Sequence, residues 1–444
     1  MEKQLTIEKN NKTFKMYIIF FIGQSISLFG SSIVQFAGTW WITEQSQDPL
    51  YMSILMLLMF VPQLIIGPIA GVLADKFSRK KIIILSDAFQ ALVTLAIIIF
   101  AATITNDLWL FIVFLSIRYV GQAFQQPAVK TVIPMLVPDD KIGQINGISS
   151  LLQALLTMGS PFVGAILLNY YTISQIMIID IISFGIAMLP LIFISFPNIH
   201  QMATSSAKNE EKKTKIKSSF FTDFKIGLKG ISETPGLWIL IISVLFTNLA
   251  ATPVNVLASY FVLYDHGGSA LIYSIIGACI TIGVIGGSIF MSIKKKWKNR
   301  RRSYILFHFL TYGGLIIIGL APRGAFWMIA LGGFLMMASI PMINNFYITY
   351  MQVIVPKEKQ GRVFSMDTFF STVATPIGMV GAAPLANLIG NSMVFTLCGI
   401  IAFGILALFS LTKQYSKVQF DAIDAQDHIE NLETTDPVLI TEVA

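Results

Sequence analysis

The sequence predicts an all-α integral membrane protein with twelve transmembrane helices, and three observations support this fold class. Hydrophobic residues occupy 55% of the 444 positions and charged residues only 12%, whereas about a quarter of the residues in a soluble domain are charged. Apolar stretches of roughly 20 residues, long enough to cross a bilayer, recur twelve times. Lysines and arginines lie almost entirely between these stretches. This pattern excludes a soluble globular protein.

The predicted spans follow one another through mostly short connections. Spans three and four, like spans five and six, are separated by a few residues and must form antiparallel hairpins. A polar segment precedes the first span and no small-residue cleavage site follows it, so we expect the first span to be retained. The spans cover residues 16–43, 50–74, 82–104, 108–126, 142–170, 174–196, 236–264, 270–293, 303–321, 325–352, 362–388 and 391–412.

The distribution of positive charge predicts the orientation. With the N-terminus inside, cytoplasmic segments contain 29 of the 31 lysines and arginines, the external loops contain Arg323, and Arg118 lies within a span. Cytoplasmic loops carry the excess of lysine and arginine in membrane proteins. We therefore expect a multi-pass protein of the cell membrane with both termini in the cytoplasm. Topology accounts for the net charge of +7, and nucleic acid is not an expected partner.

A polar break at 197–235 separates the first six spans from the last six. Its first part is rich in Lys, Ser, Glu and Asn, which is typical of a flexible linker. In its second part Phe220, Phe224, Leu228 and Ile231 recur at helical spacing. This spacing predicts an amphipathic helix on the inner membrane face, and a soluble helix packed on the cytoplasmic loops is the alternative.

The break defines the predicted domains. An N-terminal six-helix bundle covers residues 1–196, the cytoplasmic linker with its amphipathic helix covers 197–235, and a C-terminal six-helix bundle covers 236–412. Residues 413–444 form an acidic tail. Because this tail is polar and has few apolar residues to bury, we expect it to be disordered.

The loop after the second span carries a dense charge cluster. Gly71, a small residue that allows a neighbouring helix to approach, is followed by Asp75 and by the cations Lys76, Arg79, Lys80 and Lys81. This order between two apolar spans resembles the signature loop between the second and third helices of major facilitator superfamily transporters. The resemblance implies two six-helix bundles around a central cavity that opens alternately to each side.

The same resemblance implies a conformational switch. In the family, the carboxylate equivalent to Asp75 binds the start of the eleventh helix, here near Arg362, and clamps the two halves in the outward-facing state. The arginine equivalent to Arg79 pairs with an acid at the inner end of the fourth helix, but residues 124–127 include no acid. Charges that only enforce topology are the alternative.

An arginine inside a span is the most informative single residue. Arg118 near the middle of span four costs about 2.5–3.5 kcal/mol on insertion scales, so it must face a cavity or a partner. Residues 118–127 resemble the fourth-helix motif of the superfamily, in which the arginine is tied to proton transfer or substrate. The spacing from Arg118 to Gly121 is one residue shorter than usual. An arginine bonded to carbonyl groups of a neighbouring helix is the structural alternative.

The fifth span contains small residues around a proline. Gly159, Pro161 and Gly164 resemble the fifth-helix motif of the family's antiporters, with Ser160 and Ala165 where the family has glycine. Small residues allow close helix packing, and a proline is tolerated within a transmembrane helix. The resemblance implies antiport.

Acidic residues within the spans are candidates for proton coupling. Such coupling needs an acid that is exposed alternately to each side of the membrane. Asp87 in span three and Asp180 in span six are the candidates, and local pairing is the alternative for both. Asp367 is expected to be structural, because an acid is favoured near a helix start. His308 is expected to be a satisfied polar group.

Neutral polar side chains are frequent within the spans. They would be costly against lipid, so we expect them to line a substrate cavity, with hydrogen bonding between helices as the alternative. A cavity of amides, aromatics and methionines suits a large, amphipathic, weakly charged substrate. The predicted cavity residues are Gln24, Gln35, Gln153, Asn248, Asn255, Asn344 and Tyr347.

Over nearly all of its spans the chain resembles the macrolide-efflux branch of the major facilitator superfamily. The resemblance rests on Gly23, Gln24 and Ser27, on the loop after span two, and on residues 118–127 and 361–365. It implies a proton-driven exporter of macrolides or similar large amphipathic compounds. We expect such a protein to act as a monomer in the bilayer and to need no cofactor.

Other functions are kept as alternatives. Within the family, the chain resembles exporters of secreted metabolites such as siderophores. From a different class, a non-transporting receptor or scaffold would need neither Arg118 nor buried acids. An enzyme is not expected, because the sequence has no paired catalytic residues, no phosphate-binding loop and no metal-ligand spacing; Cys279 and Cys398 lie singly within spans.

Overall fold

The structure is a computed structural model that describes residues 2–103, 107–194, 220–294, 297, 299–412, 415 and 417–420. All regular elements in these ranges are helices. Twelve of the helices found among the described residues are long and apolar enough to cross a membrane. The predicted fold class, an all-α membrane protein with twelve transmembrane helices, is confirmed.

The helices are numbered in chain order. Helices α1–α4 correspond to the first four predicted spans, α6 and α7 to the next two, and α9–α14 to the last six. The bounds are α1 (Glu2–Ser46), α2 (Pro49–Lys76), α3 (Arg79–Thr103), α4 (Leu108–Lys130), α5 (Ile133–Leu136), α6 (Asp139–Leu168), α7 (Ile173–Phe193), α8 (Phe220–Glu233), α9 (Leu237–Tyr260), α10 (Ala270–Ile293), α11 (Arg300–Gly319), α12 (Phe326–Ile354), α13 (Lys357–Ile389) and α14 (Asn391–Leu411). A π-helical turn extends α9 over Phe261–Asp265.

Helix ends depart from the predicted spans where a helix outruns its apolar stretch. Helix α4 continues through Pro127 to Lys130 instead of ending at residue 126. A proline removes a single backbone donor, and the N–H of Thr131 still donates to the Pro127 carbonyl at 3.2 Å. Helix α13 begins at Lys357. The predicted start is 362, because the first turn of the helix is polar and lies outside the apolar stretch.

The described residues fall into two compact units. One contains those within 1–215 together with 259–278, and the other contains those within 216–258 together with 279–444. In the first unit, α1 packs on α6 and α7, while α4 packs on α2 and α3. In the second unit, α11 packs on α12 and α14, and α8 packs on α13.

The end of α9 and the start of α10 belong to the first unit. The hydroxyl groups of Thr43 and Ser259 are 2.9 Å apart, and the Tyr264 hydroxyl donates to the Glu44 carbonyl at 2.9 Å. The ring of Tyr273 stacks on Trp40 with centroids 5.6 Å apart. These contacts attach residues 259–278 to the C-terminal half of α1.

The amphipathic segment predicted before span seven forms helix α8, which packs on the first turns of α13. A Cβ atom at Gly227 would lie 2.9 Å from the Arg362 carbonyl oxygen, so the two backbones are in close contact. Ile231 is fully buried, and the Lys359 ammonium donates to the Glu233 carboxylate at 2.5 Å. This hydrogen bond holds the pKa of Glu233 below its usual value. The position of α8 on the membrane surface stays a prediction.

The described residues that follow α14 pack in the core of the second unit. Tyr415, Val418 and Phe420 are buried. The Tyr415 hydroxyl donates to the Arg301 carbonyl at 3.1 Å, and burial raises the pKa of this hydroxyl. The rest of the tail that was expected to be disordered, residues 413–414, 416 and 421–444, lies outside the described residues.

The packing of Phe420 leads to a stability prediction. Its ring contacts the rings of Tyr304 and Tyr350, with centroids 5.7 and 5.4 Å away, and its side chain is 1% exposed. We expect Phe420→Ala to lower the free energy of unfolding by about 3–5 kcal/mol, the usual range for removing a buried phenyl group. Thermal unfolding of the detergent-solubilised full chain measures this loss. Leu411→Ala is the control, because Leu411 is 84% exposed; equal unfolding temperatures for the two variants would contradict the prediction.

Candidate functional site

The centre of the first unit holds a buried ion pair between α4 and α7. Arg118 Nη2 lies 2.7 Å from Asp180 Oδ2, and the two side chains are 6% and 5% exposed. The Ser31 hydroxyl of α1 donates to Asp180 Oδ1 at 2.6 Å. The Thr94 hydroxyl of α3 donates to Asp180 Oδ2 at 2.8 Å. Asp180 therefore connects four helices, and the partner of Arg118 is a carboxylate.

A second buried carboxylate, Asp87 on α3, has only amide partners. Gln24 Nε2 of α1 donates to its Oδ2 atom at 3.3 Å, and Gln125 Nε2 of α4 donates to its Oδ1 atom. The two glutamines also bond to each other at 3.2 Å, and Gln90 donates to Gln125 Oε1 at 3.1 Å. Asp87 is 4% exposed, so this amide network shields it from solvent.

The two acids differ in charge balance. Asp180 faces a guanidinium group, whereas no lysine, arginine or histidine nitrogen in the described part of the chain lies within 4.0 Å of the Asp87 carboxylate. Burying an acid in its charged form is costly unless a partner compensates the charge, and a guanidinium group does so for Asp180. Of the two predicted candidates, Asp180 is thus held in an ion pair and Asp87 by amides, and proton coupling by either stays a prediction.

Glycines bring the helices of this site close enough for the hydrogen bonds. A Cβ atom at Gly121 on α4 would lie 3.1 Å from the Ser86 carbonyl oxygen of α3. A Cβ atom at Gly30 on α1 would lie 2.7 Å from Ser183 Cβ of α7. Larger residues at either position would separate the helices that hold Asp87, Arg118 and Asp180.

The cationic loop after α2 is tied to the ends of other helices. Arg79 donates to the Thr131 carbonyl at 3.3 Å, at the end of α4, and to the sulfur of Met135. Lys80 donates to the Ile192 and Ile194 carbonyls at 2.8 Å each, at the end of α7. Cations are stabilised near these carbonyl-rich ends. Among the described contacts, Arg79 therefore bonds to a carbonyl group and a sulfur atom near the end of α4.

The other predicted switch residues are Gly71, Asp75 and Arg362. A Cβ atom at Gly71 would meet no described atom within 4 Å, so the close helix approach expected there is not observed. The side chain of Asp75 lies outside the described residues, and its contact with the eleventh span stays a prediction. Arg362 lies on α13, in the turn that packs on α8.

The predicted motif of the fifth span lies on α6 and has one tight contact. A Cβ atom at Gly164 would lie 3.3 Å from the Ile33 carbonyl oxygen on α1. At Gly159 the nearest atom, in Phe29, would be 3.9 Å away, which is ordinary contact. Pro161 lies within α6. Gly164 thus has a packing role, and the antiport implied by the motif stays a prediction.

The predicted cavity residues divide into two groups. Gln24, Asn248 and Tyr347 bond to other helices: Gln24 in the network described above, Asn248 to the Ser371 carbonyl at 3.3 Å, and Tyr347 to the Asp367 carboxylate. The side chains of the remaining four are exposed, and their role in a cavity stays a prediction. These four are Gln35, Gln153, Asn255 and Asn344.

The structure adds partners that were not predicted as site residues. Ser31 and Thr94 give the sequence no distinctive signal, since serine and threonine are ordinary in transmembrane helices. Gln90 and Gln125 do give a signal, because each is an amide within a span that also contains Asp87 or Arg118. His308 is buried on α11, with Nδ1 2.9 Å from the Tyr304 carbonyl oxygen.

Comparison with known proteins shows which family this sequence matches. The family model described as Major Facilitator Superfamily matches residues 20–379. Macrolide efflux protein A of Streptococcus pyogenes is 27% identical over 409 residues, covering 92% of this chain and 98% of that protein. The protein of the same name from Enterococcus faecalis is 26% identical over 323 residues, covering 73% and 97%.

Solved structures agree on the fold. The crystal structure of a bacterial homologue of the iron transporter ferroportin, in an inward-facing state, superposes with a TM-score of 0.67. It is 14% identical and covers 90% of this chain and 99% of that one. With the family model matched over most of its length and twelve helices that can span a membrane, this chain belongs to the Major Facilitator Superfamily of transporters.

Proposed function

We propose that this protein is a proton-coupled exporter of macrolide-type antibiotics or similar large amphipathic compounds. It acts as a monomer in the cell membrane, with both termini in the cytoplasm, by alternating access and without a cofactor. The names of its relatives support the substrate class, since two are macrolide efflux proteins at 26–27% identity. The single observation that supports proton coupling is Asp87, a carboxyl group buried among amides with no cation within 4.0 Å in the described part of the chain.

Proton exchange at Asp87 changes the bonding between three helices. When ionised, the carboxylate accepts from Gln24 on α1 and from Gln125 on α4. When protonated, it becomes a donor on one oxygen, and one amide must turn or separate. The protonated and the ionised carboxyl group therefore favour different packings of α1, α3 and α4. A proton can shift a conformational equilibrium only if it binds one conformation more tightly than the other.

The Arg118–Asp180 pair serves as the fixed part of the site. Its charges balance each other, and its hydroxyl partners Ser31 and Thr94 leave Asp180 well satisfied. The pair links α4 to α7 through its side chains while Asp87 exchanges a proton on the neighbouring α3. We propose Gly71, Asp75, Arg79 and Arg362 as the conformational switch of the transport cycle. The protein moves a small-molecule drug and protons across the membrane in opposite directions.

Retention of a labelled macrolide in drug-sensitive cells tests this function. Cells that express the wild type should retain several-fold less label than cells with an empty vector, because the protein exports the drug. A protonophore should remove this difference, since export depends on the proton gradient. Unchanged retention, with the protein present in the membrane, would contradict macrolide export and direct the search to secreted metabolites.

A further inference from the structure

A third carboxylate lies in the second unit, away from the site described above. Asp367 on α13 accepts a hydrogen bond from the Tyr347 hydroxyl of α12, and the Ser371 hydroxyl one turn later lies 3.4 Å from the same Oδ1 atom. Asn248 of α9 donates to the Ser371 carbonyl at 3.3 Å. Groups from α12 and α13 thus position the carboxylate, and α9 bonds to α13 one turn later.

The helix start does not explain this acid. From the sequence, Asp367 is expected to be structural, because a span that begins near 362 would place this residue in the first turns of its helix. Helix α13 begins at Lys357, so Asp367 lies ten residues along it, about 15 Å from the N-terminal residue. Stabilisation by the helix dipole falls off within the first turn. The carboxylate needs another reason to be there.

Among the described residues, the charge of Asp367 has no cationic partner. No lysine, arginine or histidine nitrogen in the described ranges lies within 4.0 Å of its carboxylate. The side chain is half-buried, so it is open to a ligand in a way that Asp87 and Asp180 are not. Hydroxyl donors fix its position and leave its charge uncompensated.

Aromatic groups lie next to the carboxylate on the same helix. Phe370 and Ser371 follow Asp367 at the i+3 and i+4 positions, which share a helix face. The ring of Trp238 on α9 meets Phe370 edge-on, with centroids 5.6 Å apart. A fixed carboxylate beside aromatic rings combines charge attraction with the apolar and cation–π contacts that suit an amphipathic organic cation.

We propose that Asp367 binds the protonated amine of the transported compound, and that the preferred substrates are amphipathic organic cations. The inference rests on the proposed export function and specifies its substrate class. Tyr347 is a positioning residue that orients the carboxylate. A macrolide that carries a dimethylamino sugar is cationic at neutral pH and fits this description.

Two probes test the proposal. The first is ethidium, a permanently charged amphipathic cation, whose equilibrium binding to the purified full chain can be followed by fluorescence. Asp367→Asn should bind ethidium about tenfold more weakly, because it loses a charge-assisted contact. Asp367→Glu should recover part of the affinity. Glu358→Gln, the same charge change at an exposed position of α13, should bind as the wild type does.

The second probe is a pair of labelled macrolides. One carries the dimethylamino group. The other is its N-demethyl-N-acetyl derivative, in which an acetyl group replaces one methyl group and the nitrogen is an uncharged amide. Asp367→Asn should lose export of the amine and keep export of the neutral derivative. Equal loss of both would overturn the proposal and assign Asp367 to coupling or folding.

The failures of the two hypotheses are distinguishable. If the wild type exports neither macrolide but Asp367 still determines ethidium affinity, the export of macrolides fails and the cation site stands. If both macrolides are exported and Asp367→Asn changes neither export nor ethidium binding, the cation site fails and the export function stands.

Discussion

Arg118→Ala is expected to lower the free energy of unfolding by about 3–5 kcal/mol and to abolish export. Removing one partner of a buried ion pair leaves the other charge uncompensated, and the measured costs lie in this range. Asp180 would keep its bonds to Ser31 and Thr94, but two hydroxyl groups do not replace a guanidinium charge. Thermal unfolding in detergent and macrolide retention in cells measure the two effects.

A double variant distinguishes the effect of one uncompensated charge from the effect of losing the whole ion pair. Arg118→Met with Asp180→Asn removes both charges, so it should unfold closer to the wild type than Arg118→Ala does. It should nevertheless remain inactive in export. Arg323→Ala, at an exposed position, is the control and should change neither property. If Arg118→Ala unfolds at the wild-type temperature, the ion pair does not stabilise the fold.

The helical fold was predictable because a membrane restricts the solutions. Backbone groups in hydrocarbon must bond within a helix, so each apolar stretch of sufficient length predicts one. The predicted ends were wrong where helices extend beyond their apolar stretches, as at Lys130 and Lys357. There the apolar pattern ends, and local hydrogen bonds decide where the helix stops.

The charged residues of the site could be predicted from the sequence, but which of them pair could not. The cost of burying Arg118 required a partner, but a sequence does not say which of two acids lies nearby. Asp180, 62 positions along the chain, is the partner because α7 and α4 both pack on α1 and α3, which brings the two side chains together. The difference between Asp87 and Asp180 depends on this pairing alone. The role we propose for Asp367 likewise depends on where α13 begins.

Asp87→Asn is expected to abolish protonophore-sensitive export while leaving a folded protein that still binds substrate. Asparagine has nearly the same shape, and its side-chain oxygen can accept from Gln24 or Gln125, which are the present partners of the carboxylate. It cannot exchange a proton in the transport cycle. Macrolide retention should therefore equal that of empty-vector cells. Asp140→Asn makes the same change at an exposed position and should export normally.

Exchange without a proton gradient distinguishes lost coupling from lost transport. In proteoliposomes with unlabelled macrolide inside and labelled macrolide outside at equal pH, Asp87→Asn should still exchange the label, because exchange needs no net proton movement. Asp180→Asn should instead lose stability as Arg118→Ala does, since it leaves the buried guanidinium uncompensated. Export by Asp87→Asn that remains sensitive to the protonophore would exclude Asp87 as the coupling group. The proton would then have to bind elsewhere, and Asp180 would become the first residue to test.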